Sequence, residues 1–437
     1  MTTMREQAGE RPFRVMTLDN GLRVVVSPQA DLHRAHVALY VRVGSRFEVA
    51  ETNGISHFLE HMLYRGTPRL KNAHEVNLAF ESLGGYLYAA TQADFGVFSV
   101  TLPHESLKEA TELFSDVLLS PTFADIEIEK GIVSEEILED LDDEGRQVDA
   151  DNLSRLLIYP THPLGFTITG DEERVRSFDL PKLRAHHARH YTAETSVLAF
   201  SGPIEPERAF DLANTYFASM PRGIAIPAEA PVHHQKKPRV QIVGNVSSQT
   251  ELRVSFRAIS ERDDRRPIMD MLLRILDDGM STRLYHRICD DQGLCYDVGA
   301  TFDGYEDDGI LDFTAGCQHS RVSVVTREIL KILEELVTQG PSEDELAKAR
   351  RRNAWEVQTM FDSPDELAGF YAGGLLFDRI ESPEARLAAN AKVTSEDLRA
   401  FVADICQPDR LNALAVGLLE KDEDKRFVDL IKNFRGI

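Results

Sequence analysis

Two histidines bracket a glutamate in the stretch NGISHFLEHMLYRGTP, residues 53–68, and almost everything else in it is apolar. Imidazoles are common metal ligands. Two of them at i and i+4 sit one helical turn apart, near enough to share an ion at Zn–N distances of about 2.0–2.1 Å. A surface turn that happens to carry polar groups is the plainer reading. At 100° per residue, however, Ile55, Phe58, Leu59, Met62 and Leu63 fall at i, i+3, i+4, i+7 and i+8 and form a full apolar face. His57, Glu60, His61 and Tyr64 fall on the opposite face. Asn53 is placed to cap the start, and Gly66 with Pro68 to stop the helix. One side is therefore expected to pack on a core while the other presents two imidazoles and a carboxylate.

The order H-x-x-E-H inverts the thermolysin-type zinc motif. A catalytic zinc takes three protein ligands and keeps a position for water. The third is sought in ADIEIEKGIVSEEILEDLDD, residues 124–143. On a helical wheel Ile126, Val133, Ile137 and Leu141 form the buried stripe. Glu129 and Glu136 nearly overlay beside it, and Glu135 points to solvent. Geometry favours Glu136 as the ligand and Glu129 as its supporting partner. An ordinary acidic helix accounts for Glu135, Glu139, Asp140, Asp142 and Asp143.

The elements that position these groups belong to a chain of 437 residues, long enough for two or three domains. A net charge of −23 argues against nucleic acid or anionic membrane as partners. The first residues show no apolar signal core, and no run of about 18 apolar residues spans a bilayer. Cys289, Cys295, Cys317 and Cys406 fit neither a metal knuckle nor a disulfide framework. They read as small core residues, and a reducing, cytoplasmic location is expected. Four prolines at 221, 227, 231 and 238 interrupt both helix and strand. The expected organisation is therefore residues 1–220, a linker at 221–238, and residues 239–437. Each half reads as two strands, a helix, more strands and a helix, so an α+β module is duplicated. The second copy has nothing like HFLEH, so the metal belongs to the first.

The blocks VGSRFEVAETNGISHFLEHMLYRGT, ESLGGYLYAATQADFGVFSV, LLSPTFADIEIEKGIVSEEILED and THPLGFTITGDEE stand in this order. MSTRLYHRICDDQGLCYDVGATFDGYEDDGILDFTAG follows in the second half. Together they resemble the pitrilysin–insulysin–mitochondrial processing peptidase family of zinc metallopeptidases, the inverzincins, over nearly the whole chain. The resemblance implies two similar α/β-sandwich domains forming half of a clamshell chamber. It implies one zinc per chain on His57, His61 and Glu136, with Glu60 as general base and Glu129 as a supporting catalytic glutamate. Two neutral imidazoles and a carboxylate leave such a site near +1, which lowers the pKa of a bound water towards about 7. In the implied endopeptidase reaction that water attacks the peptide carbonyl, and Glu60 relays its proton to the leaving amine.

Two departures from the family pattern stand out. The family reads Gly-Gly-x-x-Asn-Ala-x-Thr beside the cleft, where substrate adds as an edge strand. Here Gly84 and Gly85 lead to Tyr88, Ala89, Ala90 and Thr91. Tyr88, Ala89 and Ala90 are implied to meet substrate, although Tyr88 in place of Asn either touches it or simply packs. Relatives that hold substrate through the second half carry an Arg seven residues before a Tyr. This chain keeps Tyr296 but has Cys289 at the Arg position, with Arg287 displaced by two residues and Arg283 by six. The implied partner is a metal-free homologous subunit that supplies the Arg–Tyr pair in a heterodimer. The alternative is a homodimer that uses Arg287 or no arginine here.

Rival sites are weaker. His186, His187 and His190 in RAHHARHY have no acid among them and suit a helix C-terminus. His233 and His234 in the linker read as solvated. The sequence has no P-loop, dinucleotide turn or nucleophile elbow. The functional expectation is a zinc endopeptidase acting on short or unfolded peptides in a dimeric chamber. The competing one is a non-catalytic assembly subunit, a class that typically loses the motif residues this chain retains.

Overall fold

The computed structural model describes residues 3–5 and 13–437, so the reading of residues 1, 2 and 6–12 lies outside the described residues. The chain forms two compact units. The first comprises Met1–Ile137, Phe166–Ala228 and Val357–Glu384, and the second Leu138–Gly165, Glu229–Glu356 and Ala385–Ile437. The crossing between Ala228 and Glu229 lies in a stretch, 221–238, without helix or strand.

The first unit is built on a seven-stranded sheet. Its strands are β1 (Thr3–Arg5), β2 (Phe13–Thr17), β3 (Arg23–Pro28), β4 (Arg34–Val41), β5 (Leu87–Thr91), β6 (Gly96–Pro103) and β7 (Ser196–Gly202). Their order is β1-β2-β3-β7-β4-β6-β5, with β3 and β7 parallel and the other neighbours antiparallel. β5 is therefore an edge strand, paired only with β6 among the described strands. The second unit has five strands, β8 (Arg239–Val243), β9 (Thr250–Arg257), β10 (Cys295–Gly304), β11 (Gly309–Cys317) and β12 (Leu411–Val416), in the order β10-β11-β9-β12-β8. The central strands β3, β4, β7 and β12 are buried along most of their length, which is why they read as apolar runs rather than alternating ones.

The helices that bear on the site and its counterpart are α1 (Ile55–Leu63), α2 (Leu107–Leu119), α3 (Ile126–Glu139), α4 (Leu180–His190), α5 (Arg266–Leu276), α6 (Val322–Thr338) and α7 (Pro364–Leu376). α1 lies against β5 and α4. Ile55, Phe58, Leu59, Met62 and Leu63 are all buried, as the helical wheel requires. Each such side chain stabilises the fold by about 1.5–3 kcal/mol. On α3 the wheel holds for Val133 and Ile137, which are buried. Ile126 is only half-buried, and Leu141 lies beyond the helix end at Glu139.

Candidate metal centre

The start of α1 is fixed differently from the sequence expectation. Asn53 does not cap it. Gly54 occupies the cap position in a left-handed conformation (φ 93°), with no side-chain cap. A Cβ there would meet the Thr169 carbonyl oxygen at 2.6 Å and Gly170 at 2.8 Å, so the tight approach of these two segments needs glycine. The capping acceptor comes from earlier in the chain. The buried Glu48 carboxylate accepts from the Gly54 and Ser56 N–H groups at 2.8 Å each. Asn53 Nδ2 donates to it at 3.0 Å and to the Thr167 carbonyl at 2.8 Å. An anion at a helix N-terminus meets orphan donors and the positive end of the dipole. Burial nevertheless raises the Glu48 pKa, against the hydrogen bonds that oppose the rise.

Anchored in this way, α1 turns His57 and His61 towards α3. The ring centroids of the two histidines are 4.6 Å apart. His57 Nε2 lies 3.4 Å from Glu136 Oε1, and His61 Nε2 lies 3.6 Å from Glu136 Oε2. One ligand atom from each of the three residues falls within 4.8 Å of the others, and no other group of three such ligands meets this criterion among the described residues. Separations of 3.4 and 3.6 Å are long for hydrogen bonds. They approximate the edges of a tetrahedron with ligand bonds of about 2.0–2.1 Å. The three side chains thus fit a zinc ion.

Glu129 and Glu60 complete the cluster from opposite sides. Glu129, buried on α3, pairs with His61 Nδ1 at 2.8 Å and is held by both Arg65 Nε and Nη2. A carboxylate on the far ring nitrogen fixes the imidazole's tautomer and orientation. Glu60 accepts a hydrogen bond from Thr91 Oγ1 on β5 through Oε2 and stands outside the three-residue set. Burial works to lower the His61 pKa. Its bond to Glu129 and the charges of Glu129, Glu136 and Glu60 outweigh that and raise it. Burial works to raise Glu129, but its bonds to His61 and Arg65 bring it below the usual carboxylate range. The His57 ring holds Glu136 below that range despite partial burial. Glu129 and Glu136 are therefore held in the carboxylate form beside the two imidazoles.

Tyr88 is exposed and, with Ala89, lines the opening beside Glu60 and His61. Ala90 faces the other side of β5. Tyr296 sits near the start of β10 in the second unit, 87% exposed. Arg287 is committed to Glu328 and Glu335, at 2.7 Å each. Arg283 is committed to Glu345 at 2.6 Å and to the Gly340 carbonyl at 3.1 Å.

The rival histidines are accounted for internally. His186 Nε2 is 3.0 Å from Ser56 Oγ, His187 Nε2 is 2.7 Å from the Leu118 carbonyl, and His190 Nδ1 is 2.9 Å from the Arg42 carbonyl. Burial lowers the pKa of all three, that of His190 to about 4. His233 is not solvated as expected, since Asp308 Oδ2 lies 2.6 Å from its Nε2 and draws the linker onto β11's approach. Cys317 and Cys406 are buried, but Cys289 and Cys295 are only half-buried, with sulfurs 3.7 Å apart. Sequence reasoning missed Arg65, Thr91 and Glu48. Arg65 stands four residues after His61, a spacing that places it one turn on. Thr91 shares the β5 face of Ala89, which the period of two gives. Glu48 carries no periodic signal.

Residues 23–170 match the insulinase family, peptidase family M16, and residues 177–353 match the peptidase M16 inactive domain. An uncharacterized zinc protease of Mycobacterium bovis is 30% identical over 395 residues, covering 89% of each chain. The crystal structure of a protease from Helicobacter pylori superposes with a TM-score of 0.86 at 20% identity, over 94% of this chain and 100% of that one. A structure of a peptidase M16 inactive domain from Pseudomonas fluorescens gives a TM-score of 0.86 at 21% identity, over 94% and 99%. The chain belongs to peptidase family M16, and its two domains, mixing helices with sheets, have the fold of that family.

Proposed function

We propose that this protein is a zinc-dependent endopeptidase that hydrolyses short or unfolded peptides. The observation that carries the reading is the set of His57, His61 and Glu136, with Glu60 beside it but outside it. Zinc held by those three side chains would acidify a water and polarise the substrate carbonyl. The chain's own groups do the rest. Thr91 occupies Glu60 Oε2 and leaves Oε1 to take the proton from the attacking water and return it to the leaving amine. Arg65 and Glu129 hold the His61 ring in one orientation. The free edge of β5 pairs with the peptide main chain, which fixes register without requiring a particular sequence.

The reading extends to a dimeric chamber. Arg283 and Arg287 are both engaged in ion pairs, which favours an arginine supplied by a metal-free homologous subunit over one from this chain. The assembly-subunit alternative draws on the inactive-domain match, but that match covers 177–353, the part without the ligand set. The deciding experiment measures zinc content and cleavage of internally quenched peptides by the purified chain, alone and with the candidate partner. One zinc per chain, cleavage abolished by chelator and restored by zinc, is the expected result. Zinc bound without cleavage in either arrangement would favour the assembly subunit.

A further inference from the structure

β5 has two faces, and only one looks towards the candidate metal ligands. Thr91 reaches Glu60, and Leu87 and Ala89 line the opening beside it. Ala90 faces the opposite way, towards a separate cavity of about 740 Å³ within the first unit. α7 packs on β7, β4 and β3, and the cavity lies between α7 and the β6–β5 end of the sheet. This volume is within the range of ligand pockets, roughly 300–1,000 Å³.

Five Tyr and Phe rings line it, Tyr40, Tyr86, Tyr88, Phe95 and Phe377, beside the His36 imidazole. Tyr40 stacks on Phe95 with centroids 6.2 Å apart, and Phe95 meets Phe377 edge-on at 6.3 Å. Tyr86 and Tyr88 are 72% and 53% exposed, large apolar surfaces turned to water. The small side chains Ala90, Ser99 and Thr101 are part of the lining. On α7, Gly373 lines the cavity, and a Cβ there would meet nothing within 4 Å. Asp365 and Glu366 are offset in part by Arg34, so the lining selects more by shape and aromatic surface than by charge. Tyr88 lines both this cavity and the opening at Glu60 and His61, so its ring stands between the two at the strand edge.

A strand added to β5 sends successive side chains to opposite faces. Residues on one face meet the Glu60 side, and their neighbours face the aromatic cavity. We propose that this cavity is a side-chain subsite for an aromatic residue of a peptide paired on β5, so that peptides are ranked by an aromatic group carried on the face away from His57 and His61. The proposal rests on the endopeptidase reading for its peptide but not for its test.

The test is binding rather than turnover. Zinc-loaded full-length Glu60→Gln protein is titrated with fluorescent, alanine-rich peptides in which a single Phe is moved one position at a time. Phe is expected to tighten Kd roughly tenfold or more at positions two apart, and little at those between. Gly373→Leu in the same background projects a side chain into the cavity, and leucine is a better helix former than glycine. It should bring the Phe-to-Ala ratio close to one, and Tyr88→Ala should lower it. No gain from Phe at any position, or a gain that survives Gly373→Leu, overturns the subsite. If the gain is present while the unmutated protein cleaves nothing, the endopeptidase reading fails and the subsite stands.

Discussion

α1 in the first unit and α5 in the second are both amphipathic helices with a charged face, and they close that face differently. On α5, Asp270 sits between Arg266 at 2.8 Å and Arg386 at 3.1 Å. Arg274 is taken by Asp278 at 3.3 Å and by Glu356, and Arg352 holds Asp278 at 2.7 Å. These formal charges have counter-charges inside the unit. On α1, by contrast, two imidazole nitrogens and the Glu136 carboxylate approach a common point without a close hydrogen bond among them. The groups behind them, Glu129, Arg65 and Thr91, are paired. Polar groups in a fold are normally satisfied. Three ligand-type side chains converging within 4.8 Å could hold a metal ion, whereas a closed network of counter-charges serves structure.

That contrast gives a ranked series of outcomes. His57→Ala or Glu136→Ala removes a member of the open set and should abolish bound zinc and peptide hydrolysis together, as read by metal analysis and a quenched-peptide assay. Glu60→Gln should lower hydrolysis by about 10²–10⁴-fold while zinc remains at one per chain, because the residue stands outside the set. Arg65→Met frees Glu129 and with it His61, and should weaken zinc affinity roughly 10–100-fold in competition with a chromophoric chelator. Asp270→Ala opens the closed network, leaving Arg266 and Arg386 without their shared carboxylate. It should cost roughly 1.5–3 kcal/mol in urea unfolding and leave zinc content unchanged.

The smallest effect is one of pH. Burial raises the Asp312 carboxyl in the second unit to about 6, although Arg253 and Ser255 favour its charged form. The unfolded chain ionises this group near about 3.9. Between those values the folded state holds a proton that the unfolded state has lost. Asp312 therefore makes stability fall as pH rises from about 4 to about 6 and adds no further slope above. Asp312→Asn should flatten that segment of the stability profile. An unchanged slope would assign it to other groups.

How much of this was legible in the sequence depends on the range of the interaction. The faces of α1, and the choice of Glu136 over Glu135 on α3, follow from helical period because both are local. The closing partners are not local. Thr91 reaches Glu60 from 31 residues further on, and the Arg42 carbonyl that satisfies His190 lies 148 residues away. His233 looked like a solvated linker residue because Asp308, which binds it, is 75 residues further on. The return of Val357–Glu384 to the first unit, which brings α7 to the sheet, has no compositional mark either.

The central claim is that one zinc ion is held by His57, His61 and Glu136. Diffraction from zinc-loaded crystals on either side of the zinc absorption edge tests it most directly. The account predicts one strong anomalous peak per chain, bounded by those three side chains, which disappears in Glu136→Ala. A peak elsewhere, such as at His186 and His190, or none at the three residues with zinc in excess, would contradict it.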